Sequence, residues 1–391
     1  MTFVFSLIVY GLLIFIMMYN ANRVLVRRFI PNNFSSFLLD RNYLIPILFF
    51  CLVSCIRWRV GVDCNSYMAQ FYDYDEQWLI GKGESGYLFL IRFFRFFHAS
   101  HVPFFFVLAY LQIVFIYYTF KNVQYVLLFF PLFLVLTGEF WVWMNGVRQV
   151  ISCCIFVYVT YQVSLKKWWL SIIMILIATL FHKSAFVLLP LSLIFCIPRI
   201  YISNKYFQIF LVGLSFMFMG TSITSHLSEV IENVMNMIGY GDSQEHMTET
   251  IIEKNFGFRS ILLLASNMIV IWNSPKLAMY YKSNHFNIMY NLYFFGVCLS
   301  LVFYGNHGIE RFLMYFRCFT PVILSYCAYY FYKHKSDMSK LLAFVAIISL
   351  LTIRTLYEFY DAGNRPAEEC TLYKTIFFHN VPKGTYNLEL W

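Results

Sequence analysis

The sequence predicts an all-α integral membrane protein, and three observations support that fold class. Of its 391 residues, 60% are hydrophobic and only 13% are charged, whereas a soluble chain carries about 25% charged residues. The mean hydropathy is +0.63. Apolar runs recur along the whole chain, and helices are the default for such runs because lipid offers no partners to unpaired backbone groups. We therefore expect residues 1–391 to form a single polytopic transmembrane domain.

The apolar runs predict a bundle of about 12 transmembrane helices, since a spanning helix needs roughly 20 mostly apolar residues. The first run lacks a preceding basic segment, and Arg23, Arg27 and Arg28 follow it. That pattern is typical of a retained first helix, not of a signal peptide. The predicted spans lie near residues 2–20, 42–57, 103–120, 123–138, 149–164, 168–182, 185–198, 206–221, 259–274, 286–304, 312–331 and 339–354.

Basic residues concentrate in alternate loops, which predicts the orientation of the chain. Short basic loops stay in the cytoplasm, so both termini are expected on the outer side. The net charge of +9 reflects these basic loops, so it gives no reason to expect that the protein binds nucleic acid. The six basic loops contain two acids, Asp40 and Asp337, beside Arg23, Arg27, Arg28, Arg41, Lys121, Lys166, Lys167, Arg199, Lys205, Lys276, Lys282, Lys333, Lys335 and Lys340.

Two longer segments are predicted on the outer side. Residues 57–102 include an amphipathic stretch, residues 87–97, which carries Arg92 and Arg95 and is expected to lie along the membrane interface. Residues 221–258 form a long acidic loop. Long loops in compact proteins are often functional, so this loop is either a lid or specificity element, or simply a solvated connection.

Polar residues that adjoin the apolar runs gather on the predicted outer face. Charges so close to a membrane segment are expensive and usually functional. Arginine presents a planar fork that matches phosphate oxygens, and a carboxylate or histidine can accept a proton from an attacking hydroxyl. The pattern predicts a site for an anionic, lipid-linked substrate just outside the bilayer. The candidate residues are Arg57, Arg59, Asp63, Tyr67, Glu84, Arg148, Gln149, His182 and Arg311.

Several of these residues also have a purely structural interpretation. An arginine beside a membrane run is often an interface anchor. His182 can satisfy a buried backbone carbonyl, and Glu310 and Arg311 can form a local ion pair of little energetic value. Asp73 and Asp75 resemble the acidic pair in the first outer loop of metal-dependent membrane glycosyltransferases. That match is short, and we expect neither a metal nor another cofactor.

Four short motifs, in this order along the chain, resemble the EpsG family of membrane proteins. Residues 56–63 with Tyr67 match an arginine, then a glycine and aspartate, then a tyrosine. Glu84 matches an acid that precedes an aromatic helix. Residues 145–149 match an Asn…Arg-Gln element, and residues 181–185 match a Phe-His-x-Ser-Ala element.

The resemblance covers roughly residues 45–200, with Arg311 as the counterpart in the looser C-terminal half. It implies a Wzy-type bacterial polysaccharide polymerase with a GT-C-like polymerase architecture. Such enzymes join oligosaccharide repeat units that are linked to undecaprenyl pyrophosphate, at the outer face of the inner membrane. The implied location of the active site is the periplasm or cell exterior. The implied partners are the lipid-linked oligosaccharide, membrane lipid and a chain-length regulator protein.

On this interpretation, Arg57, Arg148 and Arg311 bind the pyrophosphate, and Arg59 supports them. His182 is our first choice for the proton acceptor; Asp63 and Glu84 are the alternative catalytic candidates. Gln149 and Tyr67 are expected to hydrogen-bond sugar or phosphate. Three rival functions remain open from the sequence: a membrane acyltransferase that modifies the glycan, a flippase for the lipid-linked unit, and a ligase.

Overall fold

The described part of the chain is predominantly helical, in agreement with the predicted fold class. The computed structural model describes residues 2–28, 30–58, 60–61, 63–72, 76–81, 83–219, 221, 256–364 and 371–377. Within these residues, extended pairing is limited to an isolated antiparallel bridge between Arg57 and Thr375. Short 3-10 helices cover Phe120–Asn122 and Lys183–Val187.

Most of the α-helices follow one another with short connections; residues 218–257 separate α13 from α14. Those of the described residues are α1 (Thr2–Arg27), α2 (Phe34–Leu39), α3 (Arg41–Cys55), α4 (Cys64–Tyr72), α5 (Glu76–Gly81), α6 (Ser85–Phe96), α7 (His101–Thr119), α8 (Gln124–Leu136), α9 (Glu139–Asn145), α10 (Val147–Ser164), α11 (Trp168–Phe181), α12 (Leu188–Phe195), α13 (Lys205–Met217), α14 (Phe258–Tyr281), α15 (Asn284–Val302), α16 (His307–Arg317), α17 (Phe319–Lys333) and α18 (Met338–Asn364).

Each predicted apolar run coincides with helical structure, and the chain is a multi-pass membrane protein. Among the described residues, six helices are long and apolar enough to span a membrane, or seven if one bent pair forms a single span. Several other apolar helices, including α3, α11 and α13, are shorter than that test requires. The predicted number of about 12 spans therefore stays a prediction, because hydropathy locates apolar runs more reliably than it sets their length.

The bent pair consists of α8 and α9, whose axes meet at 74°. Gly138 lies between them with a φ of 81°, a left-handed conformation that only glycine adopts without strain. Its amide donates to the carbonyl of Val135 at 2.9 Å, which closes the last turn of α8. The change in direction places the end of α9 and the start of α10 beside Arg57, Gly61 and Asp63.

The chain divides into two compact units. The first comprises residues 1–158, 173–185 and 355–391. In it, α1 packs on α3 and α8, and α3 packs on α7. Tyr10 of α1 lies at the centre of an aromatic cluster that also contains Phe140, Trp141, Phe359 and Tyr373. These large buried rings account for much of the first unit's core.

The second unit comprises residues 159–172 and 186–354. Here α13 packs on α14 and α15, and α15 packs on α16 and α17. Buried polar side chains pair inside it: Tyr290 donates to Gln208 at 2.6 Å, and Tyr293 donates to Asn267 at 3.0 Å. Pairing of this kind removes the penalty that an unpaired polar group would carry in an apolar core.

Candidate functional site

Glu84, at the start of α6, is the centre of the strongest polar cluster in the first unit. The residue is 4% exposed. Within the described residues its carboxylate caps no amide of α6, and both of its oxygens face other helices. Oε1 lies 2.7 Å from Nδ1 of His182, and Oε2 accepts a hydrogen bond from Nη1 of Arg148. One buried carboxylate thus joins two of the predicted site residues.

The approach of α6 to the end of α11 explains why Glu84 reaches His182. A Cβ on Gly86 would lie 3.0 Å from the Cβ of Leu180 and 3.1 Å from its carbonyl oxygen. Such contacts are tighter than nearly all real Cβ contacts, so a larger residue at this position would require Leu180 to shift. His182 directly follows α11, and its amide donates to the carbonyl of Ala178. The Gly86 contact therefore places acid and histidine within hydrogen-bonding distance.

Arg148, in the first turn of α10, lies against two neighbouring aromatic rings. Its Cζ lies 5.1 Å from the ring centroid of Tyr87 and 5.6 Å from that of Tyr67. Guanidinium groups are attracted to ring faces at such distances. The hydroxyl of Tyr87 in turn donates to Oε1 of Gln70 at 3.1 Å. Burial raises the pKa of Tyr67 and Tyr87, so both rings remain neutral phenols beside the cation.

The pKa of Glu84 reflects a balance between burial and its two partners. Burial alone would raise the pKa, because an apolar environment disfavours the charged form. The hydrogen bond to His182 and the charge of Arg148 outweigh burial and lower the pKa below its usual value of 4.5. Glu84 is therefore ionised at neutral pH. Because a carboxylate can only accept hydrogen bonds, Nδ1 of His182 carries the proton that lies between them.

The loop after α3 fixes the position of Arg148 through the junction of α9 and α10. Gly61 has a φ of 93°, and a Cβ there would lie 3.0 Å from the carbonyl oxygen of Met144. The amide of Asp63 donates to Oδ1 of Asn145 at 2.7 Å. These contacts explain structurally why a glycine follows Arg57 at position 61 and why an asparagine precedes Arg148 at position 145.

Arg57 contacts the same junction from within the core. It is 2% exposed. Its Nη2 donates to the carbonyl of Met144 at 3.1 Å, and Nη1 donates to the carbonyl of Ser54 at 3.0 Å. The guanidinium also lies 4.9 Å from the ring centroid of Phe105. In this arrangement Arg57 supports the polypeptide around Arg148, and its predicted contact with pyrophosphate stays a prediction.

Residues 371–377 pack against the loop that contains Arg57. The amide of Trp58 donates to the carbonyl of Lys374 at 2.9 Å, and the amide of Ile376 donates to the carbonyl of Ile56 at 3.1 Å. The hydroxyl of Tyr373 donates to the carbonyl of Val53 at 2.6 Å. The C-terminal segment thus closes over the end of α3 from more than 300 positions away in sequence.

The structure brings together Glu84, Arg148, His182 and Tyr67 of the predicted site, and places Asp63 on the adjoining loop. Gln149 follows Arg148 on α10 and is buried. Arg311 is an exposed residue of α16 in the second unit. Arg59, Asp73, Asp75 and residues 222–255 of the acidic loop lie outside the described residues.

Sequence reasoning missed Tyr87, Gly86 and the C-terminal segment. The sequence contained one signal for Gly86 and Tyr87, because both follow Glu84 within one helical turn. It offered none for residues 371–377. Trp141 and Trp143, in the helix that precedes Arg148, are 6% and 1% exposed. They pack within the protein in this structure.

These observations define a class: a multi-pass helical membrane protein with a buried carboxylate shared between an arginine and a histidine. Comparison with known families then gives its membership. The family model described as the EpsG family matches residues 41–375, so the chain belongs to the EpsG family, whose members are polysaccharide-polymerase-like membrane proteins. The match includes every residue of the cluster. No curated protein and no solved structure matches the chain significantly.

Proposed function

We propose that the protein is a Wzy-type polymerase that joins oligosaccharide repeat units linked to undecaprenyl pyrophosphate. The cluster of Glu84, Arg148 and His182 is the observation that carries this proposal. It combines a permanent cation for a phosphate group with a histidine for proton transfer. Membership of the EpsG family supports a glycosyl-transferring polymerase.

In the proposed reaction, Arg148 binds the pyrophosphate of the donor and stabilises the charge that develops as it leaves. A hydroxyl of the acceptor unit attacks the anomeric carbon of the donor. The new glycosidic bond forms at that carbon while its bond to the pyrophosphate oxygen breaks, and the oxygen keeps the electron pair. The acceptor's proton passes to His182. Asp63 stays the alternative proton acceptor, and Arg57, Arg59, Arg311, Gln149 and Tyr67 stay candidate substrate contacts.

The proposal also covers the architecture and the location. We propose about 12 spans in a GT-C-like arrangement in the bacterial inner membrane. The alternation of basic loops supports an outer position for the site. A chain-length regulator is proposed as a protein partner.

The test is a gel of surface glycan from a strain that lacks this protein, complemented with the wild-type protein or with Arg148→Ala. We expect the deletion strain to show a single repeat unit and Arg148→Ala to leave it unextended. Arg23→Ala, which changes an exposed arginine near the end of α1, is the matched control and is expected to restore the full ladder.

Two other results would contradict the proposal. A full ladder with altered modification would favour the acyltransferase. Loss of every repeat unit from the surface would favour the flippase or the ligase. Release of lipid pyrophosphate by the purified protein would then separate the enzymes from the flippase.

A further inference from the structure

Glu84 lies deeper than the two residues that it joins. Its side chain is 5% exposed, whereas those of Arg148 and His182 are 17% and 16% exposed. A substrate that enters the cluster therefore meets the arginine and the histidine before the carboxylate. Glu84 is placed to act through its neighbours and not on the substrate itself.

The guanidinium of Arg148 still has hydrogen-bonding capacity in this arrangement. Nη1 donates to Glu84, and Tyr67 also forms a hydrogen bond with the guanidinium. Among the described residues, buried Nε of Arg148 has no hydrogen-bond partner. An arginine presents five N–H donors in a fixed plane, and the side chain of Arg148 is 17% exposed, so a pyrophosphate oxygen can approach the guanidinium while Glu84 is still present. The two anions then compete for one cation.

We propose that Glu84 is a positioning residue that couples binding of the donor pyrophosphate at Arg148 to proton acceptance by His182. As the pyrophosphate replaces Glu84 as the main partner of the Arg148 guanidinium, Glu84 pairs mainly with His182. Its carboxylate keeps the proton on Nδ1 and thereby directs Nε2 to the acceptor hydroxyl. When Nε2 takes that proton, the resulting imidazolium lies beside the carboxylate that balances its charge. This inference rests on the proposed function.

Binding of inorganic pyrophosphate to the purified protein in nanodiscs tests the competition without any turnover. Glu84→Gln removes the competing charge, so we expect pyrophosphate to bind at least about threefold more tightly. His182→Ala leaves Glu84 with Arg148 alone, so we expect weaker binding, although His182 does not contact the pyrophosphate. Energetic coupling between two sites is reciprocal. The effect of His182→Ala on binding acts through the charge of Glu84, so this effect should vanish in the double variant, which lacks that charge.

Turnover is expected to move in the opposite direction from binding for Glu84→Gln. If the glutamine oxygen accepts from Arg148, its NH₂ group faces Nδ1 of His182, and the ring proton shifts to Nε2. A ring nitrogen that already carries a proton cannot accept another, so elongation of lipid-linked units should fall by about 100-fold or more. Tighter binding with slower turnover is a combination that a merely structural role does not produce.

Weaker pyrophosphate binding by Glu84→Gln, or unchanged elongation, would overturn the inference while leaving the proposed function intact. An unaltered effect of His182→Ala in the double variant would do the same. If Glu84→Gln does not fold, the His182→Ala measurement alone decides, because unchanged or tighter binding contradicts the competition. Failure of the proposed function gives a different result: the wild-type protein would neither bind pyrophosphate nor elongate lipid-linked units.

Discussion

His182 and Asp63 differ in their surroundings in a way that separates their roles. His182 pairs with an ionised carboxylate through Nδ1, whereas Asp63 donates its backbone amide to Asn145 and belongs to the loop that supports α10. We expect His182→Ala to reduce elongation by about 10²–10⁴-fold, the range for loss of a general base. Asp63→Asn retains the amide contact and should have a much smaller effect. Elongation by His182→Ala at the wild-type rate, with none by Asp63→Asn, would reverse this assignment.

Ionisation of Glu84 makes the stability of the cluster depend on pH. Its folded pKa is below the usual value of 4.5, so the ionised form contributes stability above that pH. The contribution is lost as the pH falls through the lowered folded pKa. We expect the difference in thermal midpoint between the wild-type protein and Glu84→Gln to be largest at neutral pH and to shrink below about pH 4.5. A difference that stays constant down to pH 3 would show that folding does not lower the pKa of Glu84.

For individual residues, the sequence identified the members of the cluster but did not show which of them form pairs. Arg148, His182 and Glu84 were recognisable because charged and polar residues next to apolar runs are rare. Their contacts depend on how three helices meet, which no local pattern encodes. Arg57 shows most clearly how far prediction from sequence reaches. Like Arg148, it is an arginine next to an apolar run, but it is almost fully buried and donates to backbone carbonyls.

Among the helices, the contact between α6 and α11 is the one on which the cluster depends most. Gly86→Ala would place a methyl group 3.0 Å from Leu180, and overpacking of this kind costs about 1–3 kcal/mol. We expect a lower thermal midpoint and loss of elongation, because the two helices must separate and Glu84 moves away from His182.

Gly81→Ala is the matched control for that substitution. Gly81 ends α5, and an added Cβ would have no neighbour within 4 Å among the described residues. We expect it to leave both stability and elongation near wild-type values. If Gly86→Ala behaves like Gly81→Ala, the close approach of α6 to α11 is not needed for the site.

The elements themselves were largely predictable, because hydrophobic runs and amphipathic periodicity are local properties. The amphipathic stretch at residues 87–97 is confirmed as a helix, Ser85–Phe96. The bend between α8 and α9 was not predicted. A glycine in a left-handed conformation ends α8 there, and a glycine at the end of an apolar run does not show in which direction the chain continues.

For the whole molecule, the loop charges predict an orientation that a matched pair of substitutions can test. Ser100 and Ser336 are both exposed, and the sequence predicts Ser100 outside and Ser336 in the cytoplasm. In intact cells treated with a membrane-impermeant thiol reagent, we expect Ser100→Cys to be labelled and Ser336→Cys to be labelled only after lysis. The reverse pattern would place the site on the cytoplasmic side, where the proposed lipid-linked substrate is not polymerised.

The global arrangement was the least predictable level. The sequence indicates one polytopic domain, and the structure separates two compact units with the cluster in the first. The first unit includes residues 371–377, although they are distant in sequence. Long-range pairing of this kind is set by shape and burial in the folded protein, and not by the composition of the short segment itself.

The docking of residues 371–377 has a consequence for the synthesis of the protein. Tyr373 and its partner Val53 lie 320 positions apart, and a ribosome adds about 5–20 residues per second. The loop that carries Arg57 therefore waits roughly 15–60 s for the segment that covers it. Once His182 has been synthesised, the nascent chain holds the residues of the cluster but does not yet hold residues 371–377. Newly made molecules are thus expected to become competent only after residues 371–377 have been synthesised and have docked.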